Sequence, residues 1–227
     1  MDIWDTRNQS NKWLQKELFE EKEALEIGFS LLDNYVSILE SIGMREGDNL
    51  QGKLYAIGSL TLAKSTHFLL GCFSLALDGL SQESGALLRP LIETYELLVY
   101  LRLDPSRIEE VINDKLPSAG EIAQLISGKF YDLRTHLNEH ASHFKYKYAS
   151  VSHLIDFNSK EGIKAFPSDS LSTLKRNLNS LNAFQTILLS EVAYWLESDK
   201  YETSNVIDTL RILCEKSDIL FPINFET

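Results

Sequence analysis

The stretch "NKWLQKELFEEKEALEIGFSLLDNYVSILESI", Asn11 to Ile42, decides the fold. Leu14, Leu18, Leu25, Phe29, Leu32, Val36 and Leu39 recur at intervals of three, four or seven residues, which aligns them on one face of a helix. Lys12, Lys16, Glu17, Glu20, Glu21, Lys22 and Glu23 occupy much of the remaining surface. The spacing predicts a long amphipathic helix over about 11–42. "GMREGDNLQG" then breaks it with Gly43, Gly47 and Gly52.

The same periodicity continues outward from that helix. "LYAIGSLTLAKSTHFLLGCFSLAL", Leu54 to Leu77, is long and apolar, with Lys64 and His67 near its middle. Its uninterrupted apolar runs fall far short of the ~18 residues expected of a bilayer-spanning helix. It is therefore expected to be a central helix buried on most sides, with no membrane involved. "ALLRPLIETYELLVYLRL", Ala86 to Leu103, is the third helix. Pro90 means that it either begins near Arg89 or bends there. Ser106 is expected to cap a short helix, Ser118 to open another, and Gly128 to precede a helix carrying "YDLRTHLNEHASHF". Residues 145–168 lack a long period and suggest an irregular excursion with room for a short hairpin. Asp169 or Ser170 would cap a long helix with a near-heptad seam of Leu171, Leu174, Leu178, Leu181, Leu188, Val192 and Trp195, packed on the first. A last helix, about 203–216, carries Val206, Leu210 and Leu213. The expected fold class is all-α: a bundle of four to five long helices with short extra ones. It forms a single domain, 1–227, with an N-terminal helix (11–42), a core (52–144), the irregular segment and C-terminal helices (169–227).

Composition narrows the function classes. The chain has 227 residues, 44% hydrophobic and 24% charged, with only 5 prolines and 11 glycines, which disfavours a turn-rich β fold. A net charge of −11 repels nucleic acid and anionic membrane except at a local basic patch. Cys72 and Cys214 lie far apart in apolar surroundings, so a reduced, cytoplasmic setting is the expectation. "MDIWDTRNQSNK" has no apolar signal-peptide core.

Three of the chain's five histidines fall on the helix that follows Gly128. At ~100° per residue, Phe130, Leu133, Leu137, Ala141 and Phe144 form its dry stripe. His136, His140 and His143 stack on a neighbouring strip, and Arg134 flanks the other side. "HLNEH", His136 to His140, matches a short zinc-protease string, with Glu191 the one suggestive third ligand. That support is too thin, and neither a metal nor another cofactor is expected. Proton transfer suits histidine, whose pKa lies near neutral, and phosphate suits the fork of donors on arginine. Ordinary boundary polarity on an amphipathic helix explains the same residues, and both readings stay open.

Arg134 and His140, separated by five residues, resemble the R-x(4–6)-H signature of the HEPN superfamily, helical-bundle proteins of which many are ribonucleases. "GALLRPLIETYELLVYL" is similar to the LLR-x-LIE helix of a bacterial family placed near HEPN, and the similarity covers about Ser59 to Phe144. The resemblance implies a metal-independent RNase of toxin or phage-defence type. Arg134 would bind phosphate and His140 would act as acid or base, with His136 or His143 as further candidates. It also implies a homodimer, RNA as a substrate and an antitoxin or other protein partner. Thr135 departs from the residue types usual after the arginine. Arg134 and His140 also point about 120° apart on an ideal helix, so convergence requires distortion or a second subunit. The rival expectation is a non-catalytic helical interaction module or a small-ligand bundle.

Charge adds two binding candidates near the motif. Leu125 to Ile155 holds Lys129, Arg134, Lys145 and Lys147 against Asp132 and Glu139, a net +2 that leaves −13 elsewhere. Lys145 and Lys147 are thus candidate phosphate contacts. Arg89 and Glu93, four apart on a very apolar helix, should pair or face a cavity, and Glu93 is placed to orient Arg134 if the two helices meet.

Overall fold

A computed structural model describes residues 8, 12, 16–140 and 171–198. Within these residues the chain is an all-α bundle with no strand. Four long helices form it: α1 (Phe19–Glu46), α2 (Leu50–Leu77), α3 (Ser81–Leu103) and α7 (Leu171–Ser198). Between α3 and α7 come a 3-10 turn (Pro105–Arg107), α4 (Ile108–Ile112), α5 (Ala119–Leu125) and α6 (Tyr131–His140). The expected excursion at 145–168, the caps at Asp169 or Ser170 and the last helix lie outside the described residues.

The first three helices form an antiparallel layer with short turns. Only Gly47 breaks the chain between α1 and α2, at φ 66°, with its N–H donating to Gly43 O at 3.0 Å. Asn49 then caps α2, its Oδ1 accepting from Gly52 N at 2.7 Å. Gly43 does not end the helix as its sequence context predicts. It lies inside α1, where a Cβ would come within 2.9 Å of the Ala56 backbone nitrogen on α2. α3 begins at Ser81, so Pro90 sits mid-helix and the predicted start at Arg89 does not hold. Ser84 Oγ donates to Cys72 O at 2.9 Å and Ser65 Oγ to Thr94 Oγ1 at 2.8 Å, tying α2 to α3. Downstream, Asp104 and not Ser106 caps the 3-10 turn, accepting from Ser106 N at 3.1 Å. Ser118 and Glu121 close a capping box on α5, the start read from the sequence.

Helix α7 lies across this layer, parallel to α1. Lys175 Nζ reaches Glu21 Oε1 at 3.5 Å, and Gln185 Nε2 donates to Leu25 O at 3.2 Å. A Cβ on Gly28 would overlap the Gln185 carboxamide, so glycine is what lets α1 approach there. Farther along, Tyr55 Oη donates to Trp195 O at 3.0 Å, and the two rings meet edge to face at 5.8 Å. Of the predicted seam residues, Leu171 is half-buried, and Leu174, Leu178, Leu181, Leu188, Val192 and Trp195 are buried. So is every residue from Leu181 to Thr186, which makes the middle of α7 the most enclosed stretch of the bundle. That role was expected of α2. Although α2 packs on α1, α3 and α7, its opposite face is open. It is also the one described helix long and apolar enough to cross a membrane.

Enclosing α7 has an energetic consequence at Asn182. Its side chain is fully buried, and neither Oδ1 nor Nδ2 has a hydrogen-bond partner. An unmet buried amide costs about 1–3 kcal/mol. Asn182→Leu, close in shape and apolar, is expected to raise unfolding stability by about 1 kcal/mol in urea titration. A loss of stability would mean that the amide is bonded in solution.

Candidate functional site

Helix α6 brings Arg134 to the bundle. Leu137 is buried, Phe130 and Leu133 are half-buried against the core, and Tyr131, Asp132, Thr135 and His136 are exposed. Phe130, Leu133 and Leu137 begin the dry stripe expected from the sequence, and its Ala141 and Phe144 lie outside the described residues. Phe130 anchors its start, edge-on to Tyr95 of α3 at 5.7 Å and stacked on Phe184 of α7 at 6.0 Å. The Arg134 side chain, 14% exposed, turns inward beside that stripe.

A carboxylate meets it there, one turn beyond the residue expected. Arg134 Nη1 donates to Glu96 Oε2 at 3.0 Å and to Ala119 O at 3.2 Å. Glu96 is only 1% exposed, and its Oε1 has no hydrogen-bond partner. A Cβ on Gly128 would stand 2.7 Å from that oxygen, so the residue before α6 is tailored to the carboxylate. Glu93 pairs with Arg89, as their spacing predicts, the Arg89 Nε donating to Glu93 Oε1 at 3.1 Å. Arg89, Glu93 and Glu96 share one face of α3 at i, i+4 and i+7. Burial pushes the Glu96 carboxyl above its ordinary value. Arg134 pulls it back, and the Glu93 charge pushes it up further.

A second buried pair lies on the other side of α3. Arg102 Nε donates to Glu191 Oε1 and Nη2 to Oε2 at 3.1 Å, a two-pronged grip on a carboxylate that is 3% exposed. Burial again raises the Glu191 carboxyl, while Arg102 and the nearby Trp195 indole lower it. Tyr95 sits near both pairs, its phenol pushed up to about 12 by burial and by the Glu191 charge. Glu191 is thus committed to Arg102. Among the described residues no three His, Cys, Asp or Glu side chains converge as a metal ion requires.

The expected site is only partly brought together. Arg134 is fixed in the α3–α5–α6 angle. His136, two residues on and about 160° round the helix, faces outward. Arg89 and Glu93 form their own half-exposed pair. His140 ends α6 with its side chain outside the described residues, as are His143, Lys145 and Lys147 altogether. Glu96 and Arg102 each take part in a buried ion pair, and neither was singled out from the sequence. The i+7 relation of Glu96 to Arg89 is the signal that could have found it. Arg102, near a helix C-terminus, reads as an ordinary solvated end residue. No family model, curated protein or solved structure matches the chain.

The two carboxyls fix a pH dependence. A carboxyl whose folded-state pKa is raised binds its proton more tightly when folded. Its contribution is therefore fully present below the unfolded value near 4.5 and is lost as pH rises through the folded value. Arg134→Ala removes the group that lowers the Glu96 pKa, so the loss should move to higher pH. Glu96→Gln should flatten the profile there. Urea midpoints measured from pH 4 to pH 8 check both directions. Identical profiles in the two variants and the parent would contradict the assignment.

Proposed function

We propose that the chain is a HEPN-like helical-bundle protein that contacts RNA phosphate along the Arg134 edge of α6 and cleaves RNA without a metal. Arg134 is the charge that meets the phosphate, and His140 is the proton-transfer group. The observation that carries this reading is the anchoring of Arg134. A guanidinium held from behind by Glu96 and by the Ala119 carbonyl is preorganised, so binding an anion costs it little side-chain entropy. The stretch around it, 125–155, is locally basic in an acidic chain. The HEPN resemblance adds the arginine-to-histidine spacing.

A second reading rests on the same pair. Arg134 is mostly buried and its charge is already met by Glu96. A neutralised pair of this kind pins α6 to α3 in a module that acts through contacts alone. Under this reading the chain binds protein partners, an antitoxin-type protein among them, and has no catalytic residue.

An RNA-cleavage assay with purified protein separates the two. Under the nuclease reading, His140→Ala reduces the rate by about 10²–10⁴-fold. Arg134→Lys, which keeps the charge but loses the fork, reduces it by at least about tenfold. Helicity and melting temperature are measured on the same samples. Equal cleavage by parent and both folded variants, or none by the parent, supports the contact module and contradicts the nuclease.

A further inference from the structure

The open side of α2 carries a regular seam. Ala56, Leu60, Ala63, His67, Leu70 and Ser74 follow one another at steps of four, three, four, three and four. At ~100° per residue their directions fall within about 80° of each other, the geometry of a coiled-coil stripe. Five of the six are exposed and Ala63 is half-buried. Leu60 is 66% exposed and Leu70 43%. Tyr55, Gly58, Leu62 and Ser65 occupy the other side, toward α7 and α3. A stripe of this regularity on the most apolar helix of the bundle marks a contact surface.

The seam is also symmetric about Ser65. Positions 63 and 67, 60 and 70, and 56 and 74 are equidistant from it in pairs. A two-fold contact demands this kind of self-complementarity, because each residue must suit the one that symmetry sets against it. Two α2 helices crossing antiparallel at Ser65 would set Leu60 on the partner's Leu70. Ala63 would lie against the partner's His67, and Ala56 against the partner's Ser74. Large meets large at the leucines, large meets small beside the axis, and small meets small at the ends.

Charge selects the same face. Two chains of −11 repel, yet no Asp or Glu occurs from Leu50 to Leu77. Lys64 lies on the flank of the seam, its ammonium 4.9 Å from the centre of the Phe68 ring on its own helix. The contact line is therefore free of acid, with Lys64 drawn aside and Lys53 turned to Glu109 of α4 at 3.8 Å.

The geometry points to a second copy of this chain as the occupant: the protein forms a two-fold dimer through antiparallel α2 helices centred on Ser65. This assignment stands whether or not α6 cleaves RNA. It also makes the open face of α2 a protein contact and not a lipid one.

Sedimentation equilibrium of the full chain tests it. The parent should have twice the chain mass of 25.9 kDa. Leu60→Glu, at an exposed site, should stay helical and weaken the dimer by at least about tenfold. Ile112→Glu, at an exposed position on α4, should leave the dimer unchanged. Leu60→Lys alone and Leu70→Glu alone should each give monomers. The two combined should restore the dimer, because the substitutions face each other only across the two-fold axis. A monomeric parent, a dimer that survives Leu60→Glu, or a double variant that stays monomeric would each overturn the proposal. So would loss of helicity in Leu60→Glu, which would mean that another segment of the same chain, such as 199–227, covers the face.

Discussion

A carboxylate in the middle of α3 has to be met by something. Glu96 is almost fully enclosed, and an uncompensated charge there would cost several kcal/mol. The helices that follow α3 satisfy that requirement. The 3-10 turn and α4 reverse the chain, α5 offers the Ala119 carbonyl, Gly128 leaves room beside Oε1, and α6 brings in Arg134. The placement of α6, and with it every site candidate on that helix, follows from where Glu96 sits. Arg102 and Glu191 repeat the solution between α3 and α7. The layer and the helix across it are thus held by charge as well as by apolar contact.

The apolar frame obeys a simpler rule. α7 is enclosed because glycines let it approach: Gly28 under the Gln185 carboxamide and Gly58 under the Trp195 ring. Close approach then traps polar groups such as Asn182 that sequence alone would have left at the surface. Enclosing α7 exposes the reverse side of α2, since a helix in the middle of a three-helix layer can be covered on only one face by a single crossing helix. The long apolar segment and its open leucines are two consequences of one arrangement.

The all-α class and the positions of the long helices were legible because a 3.6-residue apolar period survives any tertiary context. The seam of α7 and the dry stripe of α6 were legible for the same reason. Errors arose where a residue type has two uses. Gly43 reads as a break and serves as a close contact, and of the two readings of Pro90, a helix start or an interior position, only the interior one holds. At the candidate site the expected Arg89–Glu93 pair is present, and Arg134 takes Glu96 instead of the alternative partner Glu93. Glu93 and Glu96 share a face of α3, and only the packing of α6 decides which of them Arg134 reaches. Periodicity gives the face of a helix but not the depth at which the next one docks.

Arg134 is the hinge between the structural and functional accounts. Its bond to Glu96 seats α6 and, in the proposed nuclease, would also hold the guanidinium that meets phosphate. Either use requires that the two side chains be energetically coupled in solution. A double-mutant cycle in urea with Glu96→Gln, Arg134→Met and the pair combined measures that coupling. The account predicts an interaction of about 1–3 kcal/mol, with the double variant more stable than the two single losses would sum to. Additivity within about 0.3 kcal/mol would show that the pair does not hold α6 in place, and would contradict the central claim.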